Sequence, residues 1–207
     1  MDDRGSHKGA GMPTLNSCYV NETTREVAES GMRVEGVSDF LPGTALFRFV
    51  QRADVADAIY ISSPWWFQAS SVRRILEAAR AGHRGESLAS VQASRMAALS
   101  STWARAGAHY LLAARVIAPV TFLWGAPRAV GRVSPGQTAA SGLHSDVMIE
   151  EVEIVPDPRC VQLFLPGMEN PALSRKVVSV ISRTKMRHSE ALAEGEIEVF
   201  LRSVVAS

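Results

Sequence analysis

The sequence predicts a mixed α+β fold, a split and largely antiparallel sheet with flanking helices, and three observations predict it. Short apolar runs rich in β-branched and aromatic residues, among them ALFRFV, HYLLAARVI, VTFLWG and CVQLFLPG, recur along the chain and carry strand propensity. Stretches after Ser63 and after Asn170 instead space apolar residues at helical intervals, which places one face of a helix on a core. MIEEVEIV alternates Glu151 and Glu153 against Val152 and Ile154, the pattern of a half-exposed antiparallel strand.

Composition narrows the function classes. A chain of 207 residues with 46% hydrophobic content buries one real core. Lys and Arg number 22 against 21 Asp and Glu, so no global field attracts nucleic acid or an anionic membrane, and neither is an expected partner. Cys18 and Cys160 stand far apart with no C-x-x-C spacing, which argues against a disulfide framework and against a metal site. The most apolar stretch, AHYLLAARVIAPVTFLW, is interrupted by Arg115 and Pro119 and falls short of the roughly 18 residues of a membrane span. MDDRGSHKGAG has no apolar h-region and does not read as a secretory signal peptide. The expectation is a soluble protein, cytoplasmic or exported by a signal-peptide-independent route.

Residues 1–40, rich in Gly, Ser, Thr and charge, read as a flexible N-terminal arm with one short helix near Thr24 to Ser30. Residues 41–207 read as a single α+β domain. ALFRFV is its first strand, with Phe47 and Phe49 on one face and Leu46, Arg48 and Val50 on the other. AIYISSPWWF reads as a second strand ending at a helix start, with Ser63 as N-cap and Pro64 at the first helical position. That helix carries Val72, Ile75, Leu76 and Ala79 and stops at Gly82. A second helix is expected from about Ser87 to Ala106. HYLLAARVI and VTFLWG are strands divided at Pro119, and Gly131 to Gly142 is a long loop. CVQLFLPG is a further strand. Asn170-Pro171 starts a helix whose stripe is Leu173, Val177, Val180 and Ile181, and EGEIEVFLRSVV is a terminal strand.

In that terminal strand Glu196 and Glu198 share a face, so two carboxylates project together ahead of Val-Phe-Leu. This E-x-E pattern resembles the catalytic glutamate strand of ADP-ribosyltransferases. The resemblance implies an ADP-ribosyltransferase-like fold that takes NAD as substrate. Glu198 would stabilise the oxocarbenium-like state as nicotinamide leaves, and Glu196 would position the acceptor. Arg48 matches the family's early-strand arginine and would hold the pyrophosphate. Ser62 and Ser63 stand for the serine-containing strand, and Trp65 and Trp66 could stack on a ring of NAD. The middle of the chain is similar in layout to the tuberculosis necrotizing toxin family of NAD glycohydrolases, which makes Gln162 the candidate catalytic glutamine. The function so implied is that of an effector or toxin, either a mono-ADP-ribosyltransferase or an NAD glycohydrolase. A protein acceptor or water would take the ADP-ribose, and an inhibitor or immunity protein would be a natural partner.

Each residue also has a structural reading. The glutamates could be solvated strand positions, Arg48 could sit in a core salt bridge, Ser63 could cap a helix, and Gln162 could make ordinary sheet hydrogen bonds. The alternative function is a non-catalytic interaction protein, an effector or adaptor that binds a protein through an aromatic and arginine surface. No G-x-S-x-G elbow and no G-x-x-x-x-G-K occur, which argues against a serine hydrolase and a P-loop NTPase.

Overall fold

The computed structural model describes residues 13–50, 56–81, 92–93, 96–97, 109–128, 156–186, 199 and 201–203. Helix α1, Glu22–Glu29, begins in a reciprocal capping box. Asn21 Oδ1 accepts the Thr24 N–H at 3.0 Å and Thr24 Oγ1 accepts the Asn21 N–H at 3.1 Å, so two orphan donors of the first turn are satisfied. The chain then enters β1, Met32–Phe40, an edge strand antiparallel to β5.

The arm expected over residues 1–40 is therefore corrected from residue 13 onward. An edge strand needs only one partner and one buried face. Met32 is buried while Arg33, Glu35, Ser38 and Asp39 stay exposed, so its composition imitates a loop.

The remaining elements are β2, Ala45–Val50; α2, Asp57–Ile61; β3, Trp65–Phe67; α3, Ala69–Ala81; β4, His109–Val116; β5, Val120–Pro127; β6, Gln162–Phe164; α4, Pro171–Val177; and β7, Val178–Met186. Among the described residues all strand pairs are antiparallel, in a seven-stranded sheet of order β1-β5-β6-β3-β2-β4-β7. This bears out the mixed α+β class with a largely antiparallel sheet and flanking helices.

Connection lengths determine the sheet's shape. In a flat sheet β4 and β5 would lie four strand spacings apart, roughly 19 Å. Four peptide units join Val116 to Val120, and they reach only roughly 14 Å. The sheet must curl so that its two long halves, β1-β5 and β2-β4-β7, approach at this end, with the short β3 and β6 bridging them. The inner face carries Leu46, Val50, Leu112, Trp66, Leu163, Val120 and Phe122 in one buried cluster, with Tyr60 and Ile61 of α2 and Leu173 and Val177 of α4 packed into it. The outer face carries Phe47, Phe49, Phe67, Leu111 and Ala113 under α3. The two faces predicted for ALFRFV are thus the two faces observed.

Asn16 fixes the N-terminal segment to the curl. Its Nδ2 donates to Thr121 O at 2.7 Å and Pro166 O at 3.1 Å, and its Oδ1 accepts the Thr121 N–H at 2.7 Å. The amide bonds β5 as a neighbouring strand would, beside the point where β6 has ended.

Two predicted elements exchange types. AIYI is helix α2 rather than a strand, and the expected helix start at Ser63-Pro64 is followed by β3 instead. Asp57 in the first turn suits a helix N-terminus, while Trp-Trp-Phe has the bulk of a strand. The next helix begins later, at Ala69, and buries Val72, Ile75, Leu76 and Ala79 as its periodicity predicts. The stripe after Asn170 also ends early. Helix α4 passes directly into β7 at Val178, because Val177, Val178, Val180 and Ile181 are β-branched and stiff at χ1. At the C-terminus, Val199 and Leu201 to Ser203 are helical, which corrects the terminal strand at those positions. Leu201 packs into the outer core. The strand expected at 148–155 and the loop at 131–142 lie outside the described residues.

Candidate functional site

Arg48 occupies the inner face of β2, beneath α2. Its guanidinium donates from Nη1 to Tyr60 O at 2.9 Å, which places a cation against a carbonyl in the last turn of α2, where the helix dipole favours positive charge. Burial pulls its pKa down to about 10, so it stays charged near neutrality. On β7, Arg183 lies in the same row of the sheet, since Arg48 and Arg183 both pair with Leu112 of β4. Arg183 forms an ion pair with Asp57 at the start of α2 and sits over the Tyr60 ring, 5.7 Å from its centroid. Two arginines of one sheet row thus hold the two ends of one short helix. Sequence reasoning singled out Arg48 alone; Asp57, Tyr60 and Arg183 have no local motif that would join them to it.

Ser62 and Ser63 form the link from α2 to β3. Ser62 Oγ donates to Ile59 O at 2.8 Å, Ser63 Oγ accepts the Trp65 N–H at 3.4 Å, and Ser63 O accepts from Trp66 Nε1 at 3.0 Å. Ser63 therefore organises a turn into a strand, not a helix cap.

Trp65 and Trp66 point to opposite faces of β3, as adjacent strand residues must. Trp66 is 1% exposed within the inner core. Trp65 meets Phe164 edge to face, with ring centroids 5.0 Å apart, and packs beside Ala28, Met32 and Leu123. The two indoles therefore do not form one continuous aromatic face, because each has its own core neighbours.

Gln162 lies on the outer face. It pairs with Phe67 of β3, which pairs with Phe47, and Phe47 and Arg48 are consecutive residues of β2. Arg48 and Gln162 therefore face opposite sides of the sheet. Gln162 is 3% exposed; its Nε2 donates to Ala97 O, and its Oε1 is buried with no partner among the described residues. The amide ties Ala97 to the sheet, and Asp157 N–H bonds the adjoining Met96 O at 2.9 Å.

Cys160 is buried nearby, and burial pushes its thiol up to about 11. It is a protonated, inert thiol at neutral pH. Glu196 and Glu198 lie outside the described residues.

Among the described residues no group of three or more His, Cys, Asp or Glu is placed to hold a metal ion, and no helix is long and apolar enough to cross a membrane. Among the described residues, those selected from the sequence are not brought to one cleft: Arg48 is under α2, Gln162 is bonded to Ala97, and the serines are in a turn. Features that the sequence reading passed over lie elsewhere. Leu15, Leu41 and Ile117 are exposed at the closed end of the curl, and Arg33 and Arg128 line an open cleft beside β1 and β5. Exposed apolar positions in turns leave no periodic signal, and the two arginines are far apart in sequence. No family model, curated protein or solved structure matches this chain.

Proposed function

We propose that this chain is a protein-binding module that presents the closed end of its curled sheet to a partner. The observation that carries the reading is the apolar surface at that end. Leu41 is 62% exposed, and Leu15 and Ile117 are each 46% exposed. All three are tied to the Val116–Val120 connection: Leu15 N–H donates to Pro119 O at 3.1 Å, Ile117 adjoins Val116, and the Leu41–Thr44 turn bonds Val116 through Gly43 N–H at 2.8 Å. Neighbouring exposed apolar side chains of this size mark interaction surfaces more often than scattered single ones do. Arg48 and Gln162 face opposite sides of the sheet and each holds its own segment of chain, so these two side chains do not converge on one ligand.

The test compares wild type with a Leu41→Lys/Ile117→Lys double variant as bait in a lysate of the source organism. Both side chains are largely solvent-exposed, so the double variant should keep its stability within about 1 kcal/mol, as surface substitutions generally do. The expected result is a protein retained by wild type and lost with the variant. Identical retained proteins for both baits, in a variant that unfolds like wild type, would refute the assignment of this surface.

A further inference from the structure

Where β1 starts and β5 ends, the sheet borders an open cleft lined by Arg33, Ala126, Pro127, Arg128, Pro156 and Pro158. No carboxylate is among these residues, and their guanidinium groups are only partly used. Arg33 Nη2 donates to Glu35 at 2.8 Å, and Arg128 Nη1 donates to Glu29 O at 3.2 Å. A guanidinium has five N–H donors in a planar fork, so most of the donors on both groups are open to a ligand. The proline rings and the Ala126 methyl contribute no competing side-chain donor or acceptor.

The surrounding charge reinforces this arrangement. Pro156 and Pro158 bracket Asp157, whose carboxylate is occupied by Arg159 through bonds of 2.9 and 3.0 Å. That hydrogen bond, with the nearby Arg74 charge, holds Asp157 below the usual carboxylate range. The acid between the two prolines is already neutralised by its own partners. Among the described residues, Glu35 pairs with Arg33, while the carboxylate of Glu29, whose carbonyl accepts from Arg128, is paired with Arg25.

We propose that this cleft binds a phosphoryl group of a ligand, with Arg33 and Arg128 as the two anion-holding residues. Paired guanidinium forks match the several oxygens of such a group better than point cations do. Glu35 would be displaced from Arg33 as the anion enters. This site lies apart from the apolar end of the sheet, so it stands whether or not that surface binds a protein.

The probes are inorganic phosphate and methyl phosphate, titrated calorimetrically against chloride at equal ionic strength. Both phosphates are expected to bind saturably, with the ester retained if the site serves a phosphorylated ligand. Binding of inorganic phosphate alone would assign the site to the free ion. Arg33→Gln/Arg128→Gln should weaken binding by about tenfold or more, the equivalent of about one lost charge-assisted contact. Glu35→Gln frees Arg33 and should tighten binding several-fold, a gain that damage to the fold would not produce. Phosphate that binds no better than chloride, or an affinity unchanged in Glu35→Gln, would overturn the proposal.

Discussion

Gly125→Ala is expected to destabilise the protein by about 3 kcal/mol or more, at the upper end of what overpacking costs. Gly125 sits mid-strand in β5, opposite Val34 of β1 and Gln162 of β6. A Cβ at this position would come 1.9 Å from Arg33 O and 2.7 Å from Arg33 C. Those are backbone atoms and cannot rotate away, so β1 itself would have to move. The close approach falls beside the irregularity in β1, where the register shifts between Val34 and Gly36. Gly43 is the contrast. It has φ of +97°, and a methyl added there would meet nothing within 4 Å, so Gly43→Ala meets only left-handed backbone strain of about 1 kcal/mol. Urea unfolding of the two variants should separate them clearly.

Asn16→Ala should cost a comparable amount, about 3 kcal/mol, through loss of hydrogen bonds instead of overpacking. Asn16 is 0% exposed, and it serves Thr121 N–H, Thr121 O and Pro166 O together. Truncation leaves these backbone groups without their partner, and each buried unsatisfied group costs about 1 to 3 kcal/mol when water cannot reach it. Asn16→Asp keeps the acceptor for Thr121 N–H but sets a carboxylate against two carbonyl oxygens, so it should not rescue stability. Chemical denaturation of both variants checks this. An Asn16→Ala protein within about 0.5 kcal/mol of wild type, the ordinary range for surface sites, would show that the amide does not hold the N-terminal segment in place.

The residues also explain how far the sequence could be read. Strands with two buried faces or a clean alternation were legible: ALFRFV, HYLLAARVI and VTFLWG are β2, β4 and β5, and the α3 stripe is the buried face of that helix. The order of strands was not legible, because β1 pairs with β5 and β3 with β6 through contacts that no local pattern encodes. Short elements were the weak point. The five residues of α2 and the three of β3 are too few for periodicity to distinguish helix from strand, so their types were exchanged. Arg48 was legible as an arginine among core-seeking neighbours, but its role depends on Tyr60, Asp57 and Arg183, which only the tertiary fold assembles.

The central claim is that Arg48, Ser63, Trp66 and Gln162 hold the fold, and thermal unfolding of wild type and Arg48→Met with and without saturating NAD tests it most directly. Methionine keeps an apolar stem in the inner core but removes the charged bond to Tyr60 O, so Arg48→Met should lower stability by about 1.5 to 3 kcal/mol, as for hydrogen bonds to charged groups. NAD should leave both transitions where they are. A wild-type transition raised by NAD, by the roughly 2.7 kcal/mol expected at 100 times a dissociation constant, and a loss of that response in an Arg48→Met protein of unchanged stability, would contradict the account and restore Arg48 to a dinucleotide site.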